Sequence, residues 1–349
     1  SQRQPQAGNP AVAAGQMSAF MNQLDDGAPL LSIVVPCYNV GAAMLPLLQR
    51  VSAQMAEDCE LVLIDDGSSD GTANTVRAFQ ADYHGPGHIA LTVTPNAGAA
   101  KARELGLSLA RGRFVYFCDS DDIMRPTFVE VFRRALAQYP ALDLLFFSSE
   151  IAVVEPGGMR RLGRKVEYDH QQVFDHGSAL LEYNLSQHMH TAAVWTFVAR
   201  RDLLQAAGAS FTRRGAHEDH LFTLSTMLHA RCVVALPDLL YTQTLRAGSL
   251  TNSAKNAQYI TERISAFNEA DALLRTSAPA LRALYDAESF DAIAAMMAEN
   301  RRLLPAVLAD PVGLRYFVAR TPRILARVSR RALRAARRRL APGASPSKP

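Results

Sequence analysis

The sequence predicts an α/β fold: a mostly parallel sheet flanked by helices, with a C-terminal helical extension. Three observations carry this. Short apolar runs alternate with helical patterns of about twelve residues, as right-handed βαβ units require. Polar and acidic residues follow those runs directly, where ligands of open α/β sheets bind. Beyond residue 256 the apolar residues recur at helical spacing with few breaks.

The elements follow in order. Leu31–Pro36 reads as a first strand stopped by its proline, and a helix follows from Ala42 to Met55. Glu60–Ile64 is a second strand running into Asp65-Asp66-Gly67-Ser68-Ser69-Asp70-Gly71-Thr72. That turn leads into a helix to Gln80, with Ser69 and Asp70 as cap candidates. His88–Thr94 is a third strand, Ala99–Ala110 a helix and Arg113–Cys118 a fourth strand. Leu142–Ser149 gives a further strand, Glu155–Asp169 a hairpin or loop, and Ser178–Ser186 a helix. From Asn256 to Leu308 the pattern is helical, broken at Ser277-Ala278-Pro279 and Pro305. The domain reading is a flexible leader over 1–28, a catalytic domain over 29–255, a helical extension over 256–310 and a basic tail over 311–349. Within the catalytic domain a nucleotide-binding half (29–125) precedes an acceptor half (126–255).

Composition is that of a soluble globular chain, with 48% hydrophobic and 20% charged residues. The net charge of +4 hides an asymmetry. Residues 311–349 hold ten Arg, one Lys and no acid, leaving 26 basic and 33 acidic side chains in the other 310, a net of −7. Cys37, Cys59, Cys118 and Cys232 lack CxxC or metal spacing and read as thiols of a reducing compartment. No signal peptide and no apolar run of about 18 residues is present. Neither GxGxxG after the first strand nor GxxxxGK[ST] occurs, so a dinucleotide fold and a P-loop are unsupported.

The chemistry concentrates in Asp119-Ser120-Asp121-Asp122, which follows the apolar run Phe114–Cys118. Three carboxylates crowded at a strand end repel one another and lose solvation, so positive charge must compensate. Oxygen-only ligands suit a hard divalent cation, Mg²⁺ or Mn²⁺, and hence a phosphate-bearing substrate. The competing reading is a cap on a helix over Met124–Ala137, which needs only one acid.

Three strand ends thus carry polar groups: Tyr38 and Asn39, Asp65 and Asp66, and the Asp119–Asp122 cluster. With Asn96-Ala97-Gly98, Ala102-Arg103 and Glu218-Asp219, the arrangement resembles the family 2 glycosyltransferases of GT-A fold, over roughly Leu31 to Ser249. The resemblance implies an inverting, metal-dependent, hexosyltransferase-type enzyme using a nucleotide-sugar donor, a UDP-sugar, in cell-surface glycan or polysaccharide synthesis. It implies a donor site of Pro36, Tyr38, Asn39, Asp65, Asp66, Arg103, Asp119, Ser120, Arg246 and Ser249. Tyr38 would stack on the base, Asp66 and Asp65 would accept the base N–H, and Arg103 would sit near the base or diphosphate. Where the family often has Asn after that arginine, this chain has Glu104. Asp119 and Asp121 form the DxD pair, Asp121 contacting the metal and Asp119 the ribose or the metal through water. Asp219 would deprotonate the acceptor hydroxyl, and Glu218 would orient it. The alternative for this pair is an acidic helix N-terminus favoured by the dipole. Arg246 and Ser249 would close over the diphosphate.

His217, His220, His188 and His190 lack HExxH spacing and do not read as a zinc site. Trp195 reads as core before acceptor pocket. In the tail, from Arg323 on, Ile324, Leu325, Val328 and Leu333 share one half of a helical wheel, and all arginines but Arg339 the other. This is the pattern of a helix lying in the plane of an anionic membrane surface, with a nucleic-acid patch and a solvated oligomer contact as the competing readings. The absence of interleaved aromatics speaks against nucleic acid. Together these readings place the protein in the cytoplasm, peripheral on the inner face of the plasma membrane, with a glycan or lipid-linked acceptor. Two rivals stand beside this: a catalytically silent nucleotide-sugar-binding scaffold, and a sugar-phosphate nucleotidyltransferase, which would want a Gly-rich basic loop where Tyr38-Asn39-Val40-Gly41 stands.

Overall fold

The computed structural model describes residues 27–155, 157–245 and 255–340. Four strands open the chain: β1 (Leu31–Cys37), β2 (Cys59–Asp65), β3 (His88–Val93) and β4 (Phe114–Phe117). They lie in the order β3-β2-β1-β4, all parallel, with Cys37 level with Asp65 and Val34 level with Phe117. Six further strands continue the sheet: β5 (Ile123–Met124), β6 (Leu144–Glu155), β7 (Gly158–Val166), β8 (Gln172–Phe174), β9 (Phe197–Arg200) and β10 (Val233–Leu245). β9 enters antiparallel between β4 and β6, which restores the direction of β1 for β6 and β10. β5, β7 and β8 pair antiparallel at the margins. The sheet is thus mixed, with six strands sharing one direction and helices between them, as the alternating pattern requires.

β1 and β2 are buried along their whole lengths, which is why they read as near-continuous apolar runs and not as alternation. Pro36 does not end β1; the strand runs on to Cys37. It sits beyond the last β4 partner, Val34, so its missing N–H breaks no pair there. The helix 99–109 packs on β1 through Gly106, where a Cβ would strike the Val34 side chain. Tyr116, Phe128 and Phe147 form an aromatic centre under the sheet, and Trp195 stacks on Tyr241 with centroids 4.6 Å apart. Trp195 is therefore core, 3% exposed.

The helix expected over Met124–Ala137 begins later, at Phe128, with Thr127 at its N-cap position. Ile123 and Met124 instead pair with β10. The acids at 119–122 therefore cap no helix. Within Glu155–Asp169, Gly158–Val166 forms β7, paired antiparallel with β6.

The chain divides into two units. The first holds the sheet together with residues 266–290 of the C-terminal helices; the second holds Lys255–Ser265 and the chain from Asp291. The predicted breaks recur as a 3₁₀ turn at Pro279–Leu281 and a helix start at Leu304–Pro305. Within the second unit Gly313 packs against the Val307 carbonyl, with no room for a Cβ. Asp310 accepts the Val312 N–H at 2.8 Å at the head of a helix running from Pro311 to Leu340. Among the described residues no helix is long and apolar enough to cross a membrane. The leader to residue 26, and Arg246 and Ser249, lie outside the described residues.

Candidate active site

Parallel pairing brings the carboxyl ends of β1, β2 and β4 to one edge, and the loops after them carry the predicted groups. After β1, Tyr38 is 53% exposed. Asn39 takes a left-handed backbone (φ 51°), which asparagine tolerates. Its N–H donates to Ser68 Oγ at 2.8 Å and its Oδ1 accepts from the Ser69 N–H at 2.9 Å, joining the first loop to the second. Pro36 is buried behind them.

After β2, Gly67 has φ 75° and a Cβ there would lie 2.7 Å from the Asn96 nitrogen, so only glycine lets the two loops touch. That contact places the Asp66 carboxylate under the next loop: its two oxygens accept the N–H groups of Ala97 and Gly98, both at 2.8 Å. Asp66 is thus a loop anchor whose oxygens keep only their remaining lone pairs for a ligand. Asp65 accepts the Ser68 N–H on Oδ1 at 2.9 Å, while its buried Oδ2 has no hydrogen-bond partner among the described residues.

After β4 the acidic run divides by role. The Tyr241 hydroxyl accepts the Asp119 N–H at 3.2 Å and donates to Asp122 Oδ2 at 2.7 Å. The Thr244 N–H donates to Asp122 Oδ1 at 2.6 Å, and the Thr244 hydroxyl donates to the Asp121 carbonyl. Asp122 therefore fastens the acidic turn to β10. Burial, with the charges of Asp119 and Asp121, pushes its carboxyl well above the usual range. Asp119, Ser120 and Asp121 remain partly exposed.

Arg103, on the helix 99–109, holds the centre. It is 8% exposed, donates from Nη2 to Asp119 at 2.8 Å and from Nη1 to Glu218 at 2.6 Å, and lies over the Phe211 ring at 5.9 Å. Burial alone would lower its pKa, but the charges of Asp119 and Glu218 outweigh that and raise it. Asp219 follows at the head of the helix His220–His229 yet makes no side-chain cap. Burial and the neighbouring Glu218 push it up to about 7, against the opposing pull of Arg103. A carboxyl poised there can take a proton near neutral pH. Asp119, Arg103, Glu218 and Asp219 thus form one cluster.

An expected Mg²⁺ or Mn²⁺ can be tested against this donor set. Among the described residues no three His, Cys, Asp or Glu side chains converge as a cage. Hard divalent ions in phosphate-transfer sites use one or two carboxylates and complete their shell with substrate phosphates and water. Asp121 and the Asp119 oxygen not bonded to Arg103 are such a pair, so the residues fit.

Three contributors escape sequence reasoning. Tyr241 and Thr244 lie about 120 positions from the acids they hold. Lys165 is the extra residue of a bulge in β7, between Val166, opposite Ser149, and Arg164, opposite Glu150. A bulge re-aims its side chain; the residue as a whole is exposed on β7, while its ammonium feels the Asp219 charge and partial desolvation lowers its pKa. A lone lysine in a basic strand gives no sequence signal for this.

Residues 32–204 match the model of Glycosyl transferase family 2. The chain is 28% identical over 202 residues to the uncharacterized glycosyltransferase YibD of Escherichia coli, covering 57% of each. It is 28% identical over 234 residues to the uncharacterized glycosyltransferase EpsJ of Bacillus subtilis, covering 64% of this chain and 63% of EpsJ. It thus spans under two thirds of the length of these curated relatives. In three dimensions it resembles S. aureus TarS, crystallised with UDP-GlcNAc, at a TM-score of 0.59 and 21% identity, over 74% of this chain and 70% of that one. It also resembles the mannosyltransferase PcManGT of Pyrobaculum calidifontis, in complex with GDP-Man and Mn²⁺, at 0.52 and 20%, over 93% and 88%. At such identity the likeness speaks for the fold, which is GT-A-like.

Proposed function

We propose, from the premise that this chain belongs to glycosyl transferase family 2, that it moves a sugar from a nucleotide-sugar donor to an acceptor hydroxyl with inversion. The supporting observation is the Arg103 bridge, which draws Asp119 of the DxD pair and Glu218 of the acidic pair to one guanidinium. Donor-phosphate and acceptor chemistry would then share one cleft.

Tyr38 would offer its exposed ring to the base, and Asp65, with an unused buried oxygen, would accept a base N–H. Asp121 with Asp119 would hold Mg²⁺ or Mn²⁺, which when bound neutralises the diphosphate leaving group. Asp219 would take the acceptor hydroxyl proton as the acceptor oxygen bonds to the sugar C1. The C1–O bond to the diphosphate breaks and its electron pair leaves with the phosphate oxygen. One base and no enzyme nucleophile make a single displacement, hence inversion. Glu218, fixed by Arg103, would orient the acceptor. The TarS and PcManGT structures are complexes with UDP-GlcNAc and GDP-Man, which supports a nucleotide-sugar donor; a UDP-sugar is our reading.

The membrane reading gains support from the helix Pro311–Leu340, where Leu314, Val318 and Leu325 are 47%, 64% and 61% exposed. Spacings of four and seven put all three on one helix side, in line with the apolar half of the tail's wheel. A peripheral position on the inner face of the plasma membrane, and a glycan or lipid-linked acceptor in surface polysaccharide synthesis, follow from that reading.

A panel of nucleotide-sugars with Mn²⁺, scored by thermal unfolding, tests the donor reading, because a ligand of the folded form raises Tm. A Tm rise with one or more nucleotide-sugars is expected. No shift with any would remove the reading.

A further inference from the structure

The loop that delivers Glu218 and Asp219 is braced from outside the sheet. The Thr212 N–H and hydroxyl donate to the Glu218 carbonyl at 3.0 and 3.3 Å, and the Arg214 N–H donates to the Thr212 carbonyl at 2.9 Å. Between them His217 holds a left-handed backbone, φ 62°, directly before the acidic pair. A non-glycine residue there is strained and persists only where its surroundings over-determine it.

Arg214 supplies that determination. Its Nη1 donates to the His217 carbonyl at 3.3 Å, while its Nη2 pairs with Glu269 on the helix Ala257–Ser277. Its side chain is only 10% exposed, against 42% for that of Glu269. A guanidinium presents both bonds in one rigid plane, which an ammonium cannot do. The same stretch of C-terminal helices reaches the neighbouring loop twice more. His188 meets Glu288 at 3.0 Å, and the His190 and Tyr285 rings lie 5.6 Å apart.

We propose that Arg214, clamped by Glu269, is a positioning residue that holds His217 left-handed and so fixes where Glu218 and Asp219 face the acceptor. The helical segment 266–290 thereby becomes part of the acceptor site and not an appendage. The proposal rests on the reading of Asp219 as the general base. Its acting group is the loop backbone, so the loop can be tested apart from that reading.

The test uses the full chain with Glu269→Gln and Arg214→Lys. Arg214→Lys keeps the charge opposite Glu269 but loses the fork, so it stands even if Glu269→Gln folds poorly. Amide hydrogen exchange over 212–219 is measured with no substrate present. Release of nucleoside diphosphate is measured with UDP-GlcNAc and GDP-mannose in Mn²⁺. Both variants are expected to exchange about tenfold faster over 212–219 than the parent, with exchange in β1 and β2 unchanged. Their kcat is expected to fall about tenfold, with donor KM within about twofold. Parent-like exchange in Arg214→Lys overturns the clamp. Faster exchange with parent-like kcat overturns its catalytic consequence. A parent chain without turnover defeats the general-base reading instead, and the exchange result still decides the clamp.

Discussion

Arg103 and Glu218, 115 positions apart in sequence, meet at 2.6 Å with side chains only 10% and 15% exposed. The same guanidinium holds Asp119 at 2.8 Å. Two carboxylates from distant loops therefore share one desolvated cation. Removing that cation leaves both uncompensated, which costs more than the pair itself contributes. Arg103→Met is expected to destabilise the fold by about 3–5 kcal/mol, measured by urea unfolding. Arg103→Lys should recover only part, since an ammonium lacks the fork. Parent-like stability in Arg103→Met would show that the bridge carries no weight.

Tyr241 gives a second prediction. Its hydroxyl bonds both the Asp119 amide and the Asp122 carboxyl. Tyr241→Phe keeps the stack on Trp195 but unties the acidic turn, and should cost about 1–3 kcal/mol. Weaker Mn²⁺-dependent nucleotide binding, read by calorimetry, should accompany that loss. A variant with lower stability but undiminished binding would confine Tyr241 to a packing role.

The acidity of Asp219 predicts a pH dependence. Its carboxyl is raised from 3.8 to about 7 by burial and by Glu218, so the fold favours the neutral form. The stability this confers is complete below the unfolded value and is lost as pH rises through about 7. Asp219→Asn mimics the neutral acid throughout. Its Tm should match the parent near pH 3, below the unfolded value, and exceed it increasingly up to about pH 8. A constant difference across that range would mean that Asp219 is not perturbed in this way.

The tail predicts partitioning. Each arginine near an anionic leaflet contributes about 1 kcal/mol, and residues 311–349 hold ten. Co-sedimentation with phosphatidylserine vesicles should be strong for the full chain and lost on removing 311–349. It should also weaken with salt, because the attraction is screened. Equal sedimentation of both chains would remove the anchor.

Much of this was legible in the sequence, and the physics says which parts. β1, β2 and β4 announce themselves because strands buried on both faces need near-continuous apolar runs, and each is followed at once by its polar loop. The acids at 119–122 were legible as a cluster but not as individuals. Asp122 becomes a structural anchor only through Tyr241 and Thr244, partners that the topology of β10 supplies from far along the chain. The helix start at Phe128 was misplaced for the same reason: Ile123 and Met124 satisfy helical spacing but find strand partners on β10. Asp66 shows a subtler case, since a turn carboxylate and a ligand contact share one sequence signature. Lys165 and Arg214 were invisible, because a bulge and a long-range ion pair leave no periodicity behind.

Nucleoside diphosphate release from a nucleotide-sugar, followed with Mn²⁺ or after chelation in the parent, Asp121→Ala and Asp219→Asn, tests the shared cleft most directly. Turnover should require the metal, vanish in Asp121→Ala and fall by about 10²–10⁴ in Asp219→Asn. Full activity in Asp219→Asn, or turnover indifferent to both the metal and Asp121, would contradict it.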